Sequence, residues 1–253
     1  MPERSRQYVF ASVPYANASP LAHFLPQVCG GAQVVYGHPS SLAQRLVAGE
    51  VDVAMLPVAA YFATPGLAMI DGMGICADGA VWSVLLKCRR PLSEIRVVAA
   101  DPASRSSNAL AKLLLKEHFR QSVEMITDAG AEADADVVIG DRALCQPPAP
   151  CGDLDLGQCW KDMTALPFVF AVWAYRAEAE NAAALAQIAS AAKDMGCRNI
   201  EVLAAIRAET LHLPLERCRE YLASIIRYDL GPREAQGMER FRQLLMRPQE
   251  GRP

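Results

Sequence analysis

Short apolar runs alternate with helix-like segments along the first part of the chain. Three early runs have the length and composition of buried strands: residues 8–13, 34–36 and 51–56. Between them, Ser19 followed by Pro20 forms a typical helix start, and Ser40 is predicted to cap a helix that Gly49 ends. This β-α-β-α-β order predicts a largely parallel sheet with crossover helices.

The alternation continues in a second block around a break at Pro91. Further strands are predicted at residues 81–88, 95–100, 136–139 and 168–175, with a helix at 106–118. Four helical patterns then follow one another, at about 178–195, 198–211, 214–227 and 233–247. We therefore expect an α/β fold of two lobes. Residues 1–90 with 172–253 would form a discontinuous first lobe, and residues 91–171 the second.

Composition and charge narrow the class of partner. The 253 residues are 52% hydrophobic and 21% charged, with a formal net charge of −3 and no segment rich in basic residues. Neither nucleic acid nor an anionic membrane is therefore expected as a partner, whereas a local pocket can still bind a small anion. No apolar run approaches the roughly 18–20 residues of a membrane span, and no secretory signal is evident. We expect a cytosolic protein, and the sequence does not indicate its oligomeric state.

The eight cysteines fit a reducing compartment. None forms a Cys-x-x-Cys pair, and several stand in apolar runs, so we interpret them as reduced small hydrophobic residues. Cys145, Cys151 and Cys159 are the group that most resembles a metal site. Their spacing matches no common zinc motif and no histidine lies near, so we expect no bound metal.

The segment with the clearest chemistry follows the strand predicted at 95–100. It has the sequence Asp101-Pro102-Ala103-Ser104-Arg105-Ser106-Ser107-Asn108 and leads directly into a helix. The free N–H groups and partial positive charge of a helix N-terminus attract carboxylates, and the serine hydroxyls and the Arg105 guanidinium would add donors. The alternative is that Ser106 or Ser107 only caps the helix and that Arg105 faces solvent.

Two further polar residues lie close to predicted strands. Asn17 follows the first strand, and Ser83 stands among apolar neighbours in the strand at 81–88. Each has an ordinary alternative: a turn residue for Asn17 and a tolerated buried hydroxyl for Ser83. The chain has no G-x-S-x-G elbow, P-loop, G-x-G-x-x-G or H-E-x-x-H motif, and no evident nucleophile–base triad. These patterns alone indicate an α/β protein that binds a small anion beyond its strand ends.

With these segments in place, the chain resembles the chorismate dehydratases of the futalosine route to menaquinone. The resemblance runs in order from about residue 12 to residue 247. It rests chiefly on these segments: Tyr15-x-Asn17-x-x-Pro20-Leu21, Val81-Trp82-Ser83, Asp101-x-x-Ser104-Arg105-Ser106-Ser107, Ile139-Gly140-Asp141-x-Ala143-Leu144 and Thr164-Ala165-Leu166-Pro167-Phe168.

The chain departs from the family pattern at four positions. Ala16, Ser106 and Ala165 stand where the family commonly has Leu, Thr and Gly, and Trp82 is bulkier than expected beside Ser83. Ser106 keeps the hydroxyl, so that change is mild. Trp82 and Ala165 are the departures expected to reshape the pocket, which bears on the exact substrate more than on the fold.

The resemblance implies a periplasmic-binding-protein type II fold with the ligand cleft between its lobes. It also implies a hydro-lyase that removes water from chorismate to give 3-[(1-carboxyvinyl)oxy]benzoate. Because formation of the aromatic ring drives this reaction, no cofactor is expected. Asn17 and Ser83 would face the reacting centre. The substrate would be bound by Ser40, Ser104, Arg105, Ser106, Ser107, Asn108, Gly140 and Asp141.

Several points stay open at this level. Asp141 is at least as well explained as a cap of the turn that follows it. Asn cannot act as a general base, and the matched motifs hold no His or Glu, so a carboxylate of the substrate is the expected proton acceptor. Two other functions compete with the dehydratase: the naphthoate-forming cyclase of the same pathway, and a non-catalytic cytosolic protein that binds a small acid.

Overall fold

Two β-sheets form the framework of the protein. The structure is a computed structural model, and it describes residues 7–127 and 132–247. Its strands are β1 (Tyr8–Ser12), β2 (Ala32–Tyr36), β3 (Val53–Pro57), β4 (Leu67–Ala77), β5 (Val84–Cys88), β6 (Val97–Ala99), β7 (Glu124–Ile126), β8 (Ala135–Ile139), β9 (Asp153–Asp155), β10 (Phe168–Arg176) and β11 (Arg227–Asp229).

Helices connect and cover these sheets. They are α1 (Ser19–Ala22), α2 (Leu25–Val28), α3 (Pro39–Val47), α4 (Val58–Ala63), α5 (Arg105–Glu117), α6 (Gly140–Cys145), α7 (Leu156–Thr164), α8 (Ala182–Arg198), α9 (Ile200–Leu211), α10 (Leu215–Glu220) and α11 (Pro232–Met246). A 3-10 turn at Ala16–Ala18 precedes α1, and a π-helical turn at Tyr221–Ile225 follows α10. None of the helices in the described ranges combines the length and apolar character that a membrane crossing needs.

Each sheet has a parallel part and an antiparallel part. The first sheet has the order β11-β4-β10-β3-β1-β2, and the second has the order β7-β6-β8-β5-β9. In the first, β1 is parallel to β2 and β3, but β10 is antiparallel to β3 and β4. In the second, β6 is parallel to β7 and β8, but β5 is antiparallel to β8 and β9. The prediction of a largely parallel sheet is therefore only partly correct. The strands β5 and β10 run antiparallel to their neighbours because each enters its sheet after the chain has crossed from the other one.

The first of the two crossings does not fall where the sequence pattern placed it, at about residue 90. The chain leaves the first sheet after Ala77 and returns to it at Phe168. The strand at Val84–Cys88, which the predicted lobe of residues 1–90 includes, lies inside the second sheet between β8 and β9. An apolar run shows that a strand is buried but not which sheet it joins. The outermost residues of the predicted first lobe, 1–6 and 248–253, lie outside the described ranges.

Two predicted helix starts differ in detail. Helix α3 begins at Pro39 with His38 as its N-cap, so Ser40 lies within the first turn and is not the cap. Proline fits the first helical position because its φ is preset and its missing N–H would be unpaired there. Ser19 is itself the first residue of α1, which continues directly from the 3-10 turn.

Large apolar side chains hold the C-terminal helices against the sheets. Trp160 of α7 stacks edge-on against Phe168 and Phe241, which lie on β10 and α11. All three side chains are buried, and the Trp160 indole N–H donates to the Pro167 carbonyl at 3.1 Å. This cluster fixes the second crossing of the chain, where β10 returns to the first sheet.

Candidate functional site

A cavity of about 60 Å³ lies between the two sheets, where several strands end. Its walls come from both sheets and from the starts of α3, α5 and α6. They are Val13, Tyr15, Asn17, Pro39, Met55, Pro57, Ile75, Ser83, Val84, Ala103, Ser104, Ser107, Ile139, Gly140, Phe170 and Ala171. The walls are mostly apolar, with a few hydroxyl and amide groups, which is the usual composition of a small-molecule site. Five of the residues predicted from the sequence meet here: Asn17, Ser83, Ser104, Ser107 and Gly140.

The N-terminus of α5 supplies the anion-binding part of this cavity. Ser104 is the N-cap, and its hydroxyl oxygen accepts from the Ser107 backbone N–H at 3.1 Å. The Ser104 O–H in turn donates to the Ser107 hydroxyl oxygen at 2.8 Å. The hydroxyl hydrogen of Ser107 is therefore left to donate towards the cavity. The helix is 13 residues long, so its dipole adds partial positive charge at the same place.

Ser106 is buried and bonds in a different direction. Its hydroxyl oxygen accepts from the Ala59 backbone N–H at 2.8 Å, in the first turn of α4. Ser106 thus caps a helix of the other lobe and does not line the cavity, while Arg105 is exposed at the surface. The predicted alternative, in which one of these serines caps a helix and Arg105 faces solvent, describes this geometry in part, although the helix that Ser106 caps is not its own.

Asn108 shapes the loop in front of α5. Its side-chain oxygen accepts from the Asp101 N–H at 2.9 Å, and its amide nitrogen donates to the Asp101 carbonyl at 2.8 Å. The buried Asp101 carboxylate accepts from the Ala103 N–H at 2.8 Å and pairs with Arg142 at 2.6 Å. Asn108 therefore holds the loop that presents Ser104 rather than facing the cavity.

Asn17 and Ser83 both line the cavity, and they come from different lobes. Asn17 lies in the 3-10 turn after β1, and Ser83 immediately precedes β5. The Asn17 side-chain oxygen is buried and has no hydrogen-bond partner among the described residues. The fully buried Ser83 hydroxyl oxygen accepts from the Tyr221 hydroxyl at 2.7 Å. Because buried polar atoms are nearly always paired, the Asn17 oxygen is an open acceptor for a ligand.

The turn before Ser83 is held by one half-buried carboxylate, that of Asp155. Asp155 accepts from the N–H groups of Val81 at 2.9 Å, Trp82 at 2.7 Å and Gly157 at 3.0 Å. These bonds keep Trp82 in the left-handed region at φ 63°, an unfavourable conformation for a bulky residue. Burial raises the pKa of Asp155, and the backbone N–H groups oppose that rise. The Arg217 guanidinium lies over the Trp82 ring, with 5.7 Å between its central carbon and the ring centroid. Trp82 does not line the cavity.

Gly140 and Asp141 bring the second lobe against the first. Gly140 has φ 64°, and a Cβ there would lie 2.9 Å from a ring carbon of Tyr15. Its neighbour Asp141 accepts from the Ala16 N–H at 2.7 Å. Burial raises the pKa of the Asp141 carboxyl, which the Ala16 bond and nearby Arg207 partly offset. Asp141 therefore binds the turn that carries Asn17 rather than lining the cavity.

Two predicted positions lie at the edge of the site or away from it. The backbone of Ser40 follows Pro39, a cavity residue, but its side chain lies outside the described part of the structure. Ala165 is the left-handed C-cap of α7 at φ 61°, where glycine is usual. It does not line the cavity, so the departure from glycine changes the helix end rather than the pocket.

Three residues of the site were not singled out from the sequence. Tyr15 stands in a motif that was matched but was given no role, and Asp155 precedes a helix as N-caps commonly do. Tyr221 carried no sequence signal, because it lies within a plain helical pattern. Its π-helical turn and its contact with Ser83 depend on the tertiary structure.

The cysteines of the described ranges are free thiols, as predicted, but only Cys76, Cys88, Cys159 and Cys218 are buried like small hydrophobic residues. Cys145, Cys151 and Cys197 are exposed. Burial raises the pKa of Cys76 to about 12 and of Cys159 to about 11, so both stay protonated near neutral pH. Within residues 7–127 and 132–247, no three His, Cys, Asp or Glu side chains converge in a way that could hold a metal ion.

The two sheets with a cleft between them define a protein of the periplasmic-binding-protein fold. The chain superimposes on the periplasmic aliphatic sulphonate binding protein of Escherichia coli with a TM-score of 0.61 at 16% identity, over 94% of this chain and 91% of the other. A protein of Archaeoglobus fulgidus gives a TM-score of 0.70 at 16% identity, over 95% and 97%. At such identities the likeness establishes the fold alone, and it confirms the predicted fold class.

Sequence comparison then gives the family. The profile of the menaquinone biosynthesis family matches residues 8–247, so the chain belongs to that family. A chorismate dehydratase of Thermus thermophilus is 32% identical, with 96% of this chain and 97% of that protein aligned. A chorismate dehydratase of Campylobacter jejuni is 29% identical, over 92% and 95%. The resemblance inferred from the motifs is confirmed at the level of the family.

Proposed function

We propose that this protein is a chorismate dehydratase that acts as a hydro-lyase in menaquinone biosynthesis. One observation carries the proposal: in a chain of this family, the hydroxyl-bearing start of α5 in one lobe faces the open acceptor of Asn17 in the other. Full-length similarity to a chorismate dehydratase at 32% identity supports the same substrate.

The reaction converts chorismate to 3-[(1-carboxyvinyl)oxy]benzoate and water. The C3–H bond breaks and gives up a proton, its electron pair forms the new ring double bond, and the C4–O bond breaks with loss of the hydroxyl. The hydroxyl leaves as water once it has gained a proton, and the ring becomes aromatic. The driving force is the aromatic product, so the protein needs mainly to orient the substrate and exclude bulk water.

The start of α5 is the proposed seat of one substrate carboxylate. The Ser107 hydroxyl and the free N–H groups of the first helical turn would donate to it, in a setting where both Ser104 and Ser107 are buried. For the other carboxylate we propose the start of α3, beside Pro39, with Ser40 in its first turn. Ser106, Asn108 and Asp141 would act by holding these loops in place.

Asn17 and Ser83 are the proposed groups at the reacting centre. The Asn17 side-chain oxygen would accept from the leaving C4 hydroxyl, and the Ser83 hydroxyl would donate to the same region of the substrate. Neither side chain is a base at neutral pH. The proton from C3 would therefore pass to a carboxylate of the substrate itself.

Substrate entry would require the two lobes to separate. A cavity of about 60 Å³ is well below the roughly 300 Å³ at which small-molecule sites begin. Cross-lobe bonds such as Asp141 to Ala16 and Ser106 to Ala59 would break and re-form with each turnover. Closure would then surround the ring with Met55, Phe170 and other apolar walls.

A direct assay tests the proposal. Purified protein is mixed with chorismate, the ultraviolet absorbance of the aromatic product is followed, and the product is identified by mass. The Asn17→Ala variant should turn over at least about a hundredfold more slowly, while chorismate still raises its melting temperature. Binding without product above the spontaneous background would instead indicate a non-catalytic acid-binding protein. Turnover of a larger intermediate but not of chorismate would indicate the cyclase. The cytosolic location stays a prediction.

A further inference from the structure

Tyr221 lies behind the cavity and bonds to one of its polar groups. The side chain is buried, and its hydroxyl donates to the Ser83 hydroxyl oxygen at 2.7 Å. The Asn17 side chain is near enough to the Tyr221 hydroxyl to lower its pKa. Tyr221 itself is not among the residues that line the cavity. Its hydroxyl thus contacts Ser83, one of the two groups proposed to face the reacting centre.

We propose that Tyr221 is a positioning residue that sets the hydrogen-bond direction of Ser83. This inference rests on the proposed function, since it assigns how a reacting group of that function is oriented. Tyr221 would fix Ser83 as a donor towards the substrate.

The direction of this bond follows from counting donors and acceptors. The Asn17 Oδ1 atom has no partner in the described part of the chain, so the Tyr221 hydrogen is not donated there. The Tyr221 hydrogen goes to the Ser83 oxygen, because the opposite direction would leave a buried O–H unpaired. The Ser83 hydrogen is consequently free to point at a ligand.

The local backbone is arranged for this contact. Tyr221 begins the π-helical turn, and its carbonyl accepts from the Ile226 N–H at 3.0 Å, five residues further on. A π-helical turn inserts a residue into the helical register and changes which side chains face inward, and such turns are frequent at functional sites. Burial raises the pKa of Tyr221 far above its usual range, so the hydroxyl keeps its proton at neutral pH and acts as a donor.

The test compares Tyr221→Phe with Tyr228→Phe. Tyr228 is a matched control because it is also buried, but its hydroxyl has no partner among the described residues. Tyr221→Phe should lower kcat for chorismate by about tenfold to a hundredfold while KM changes by less than about threefold. Tyr228→Phe should keep wild-type kcat and KM. A merely structural role of Tyr221 would lower the melting temperature without this separation of kcat from KM.

A double-mutant cycle with Ser83 gives the deciding result. If Tyr221 acts by orienting Ser83, its loss should matter much less once the Ser83 hydroxyl is gone, so Ser83→Ala and Ser83→Ala/Tyr221→Phe should differ by less than about threefold in kcat. The double variant removes both partners of the buried bond, and this comparison stands even if Tyr221→Phe alone does not fold. Additive losses, or a Tyr221→Phe enzyme with wild-type kcat, would overturn the inference while the wild type still turned over chorismate. A wild type that neither binds nor converts chorismate would overturn the proposed function, and this inference with it.

Discussion

The Asp141 carboxylate of one lobe accepts a hydrogen bond from the Ala16 backbone N–H of the other, with 2.7 Å between oxygen and nitrogen. Ala16 directly precedes Asn17, so this bond ties the turn that carries the open acceptor to the start of α6. The residues are 125 positions apart in the chain. The bond therefore exists only when the two lobes are closed on each other.

Replacement of this carboxylate by its neutral isostere should raise stability near neutral pH. Burial raises the Asp141 pKa above 3.8, so the charged form is less favourable in the folded than in the unfolded chain. The contribution of the Asp141 carboxyl to the free energy of unfolding is most favourable below pH 3.8 and is lost as the pH rises through the folded-state pKa. The asparagine side chain of the variant keeps an oxygen that can accept the hydrogen bond from the Ala16 N–H. We expect Asp141→Asn to be more stable by up to about 1 kcal/mol at about pH 7.5, with the gain vanishing at about pH 4.

Urea denaturation of both proteins at the two pH values measures this difference. Comparison within each pH removes the contributions of other titrating groups. A variant that loses stability at the higher pH would mean that the charge, and not only the oxygen, holds the Ala16 turn.

Two neighbouring serines should separate stability from ligand binding. Ser106→Ala removes the acceptor of the Ala59 N–H and should cost about 1 kcal/mol of unfolding free energy, with a smaller loss of chorismate affinity than Ser107→Ala because Ser106 does not line the cavity. Ser107→Ala removes the hydroxyl that faces the cavity and should weaken chorismate binding by about tenfold with a smaller effect on stability.

Calorimetric titration with chorismate and thermal melts of both variants provide the measurement. Each serine serves as the control for the other, since they are adjacent on α5 and both are buried. Equal effects of the two variants on affinity would argue against a carboxylate seat at Ser107.

A methyl group at Gly140 should interfere with lobe closure. Gly140→Ala places a Cβ 2.9 Å from the Tyr15 ring and also forces a left-handed backbone on alanine. Gly152→Ala is the matched control, because Gly152 also has a left-handed φ of 88° but no described heavy atom lies within 4 Å of its Cβ position. Both should lose about 1 kcal/mol of stability from backbone strain.

The two glycine variants should differ in activity. Gly140→Ala should lower kcat/KM for chorismate by at least about tenfold, because Tyr15 must move when the lobes close, whereas Gly152→Ala should keep the wild-type value. Steady-state kinetics of Gly140→Ala and Gly152→Ala with chorismate measures this difference in kcat/KM. Equal kcat/KM values would show that the Tyr15 contact is not needed in the closed state.

The alanine at the end of α7 should be replaceable with a gain in stability. Ala165 adopts φ 61° as the C-cap, so Ala165→Gly relieves left-handed strain and should raise the unfolding free energy by about 0.5–1 kcal/mol. Ala191→Gly, at an exposed position inside α8, should lower it by about the same amount. Denaturant melts report both values, and kcat should stay unchanged in each. A loss of stability in both variants would contradict strain at Ala165.

Local features of this protein were predictable from the sequence because neighbouring residues decide them. An N-cap needs only a residue and the helix after it, so the sequence predicted a helix start within Ser104–Asn108, although the N-cap is Ser104 and not Ser106 or Ser107. Apolar runs of strand length likewise predicted β1, β3, β8 and β10 within a few residues. The motifs, which occur in the same order as in a known family, indicated that family. The hydrophobic periodicity alone does not indicate a family.

The missed strands show the limit of that approach. The strand β4 contains Asp71 and two glycines, and β7, β9 and β11 have only three residues each. Their patterns are too weak or too short to stand out from loops. They pair because neighbouring strands supply hydrogen bonds, and that is a property of the sheet and not of the segment.

What the sequence determined by itself is many of the buried strands, the approximate positions of several helices and the hydroxyl-bearing start of α5. The tertiary structure alone decided which sheet receives Val84–Cys88 and how the polar groups pair. Tyr221 and Ser83 are 138 positions apart, and Ser106 caps a helix 47 positions away. Such contacts form only when the whole chain has packed. The direction of the hydrogen bond at Ser83, on which the proposed chemistry depends, is therefore a property of the fold.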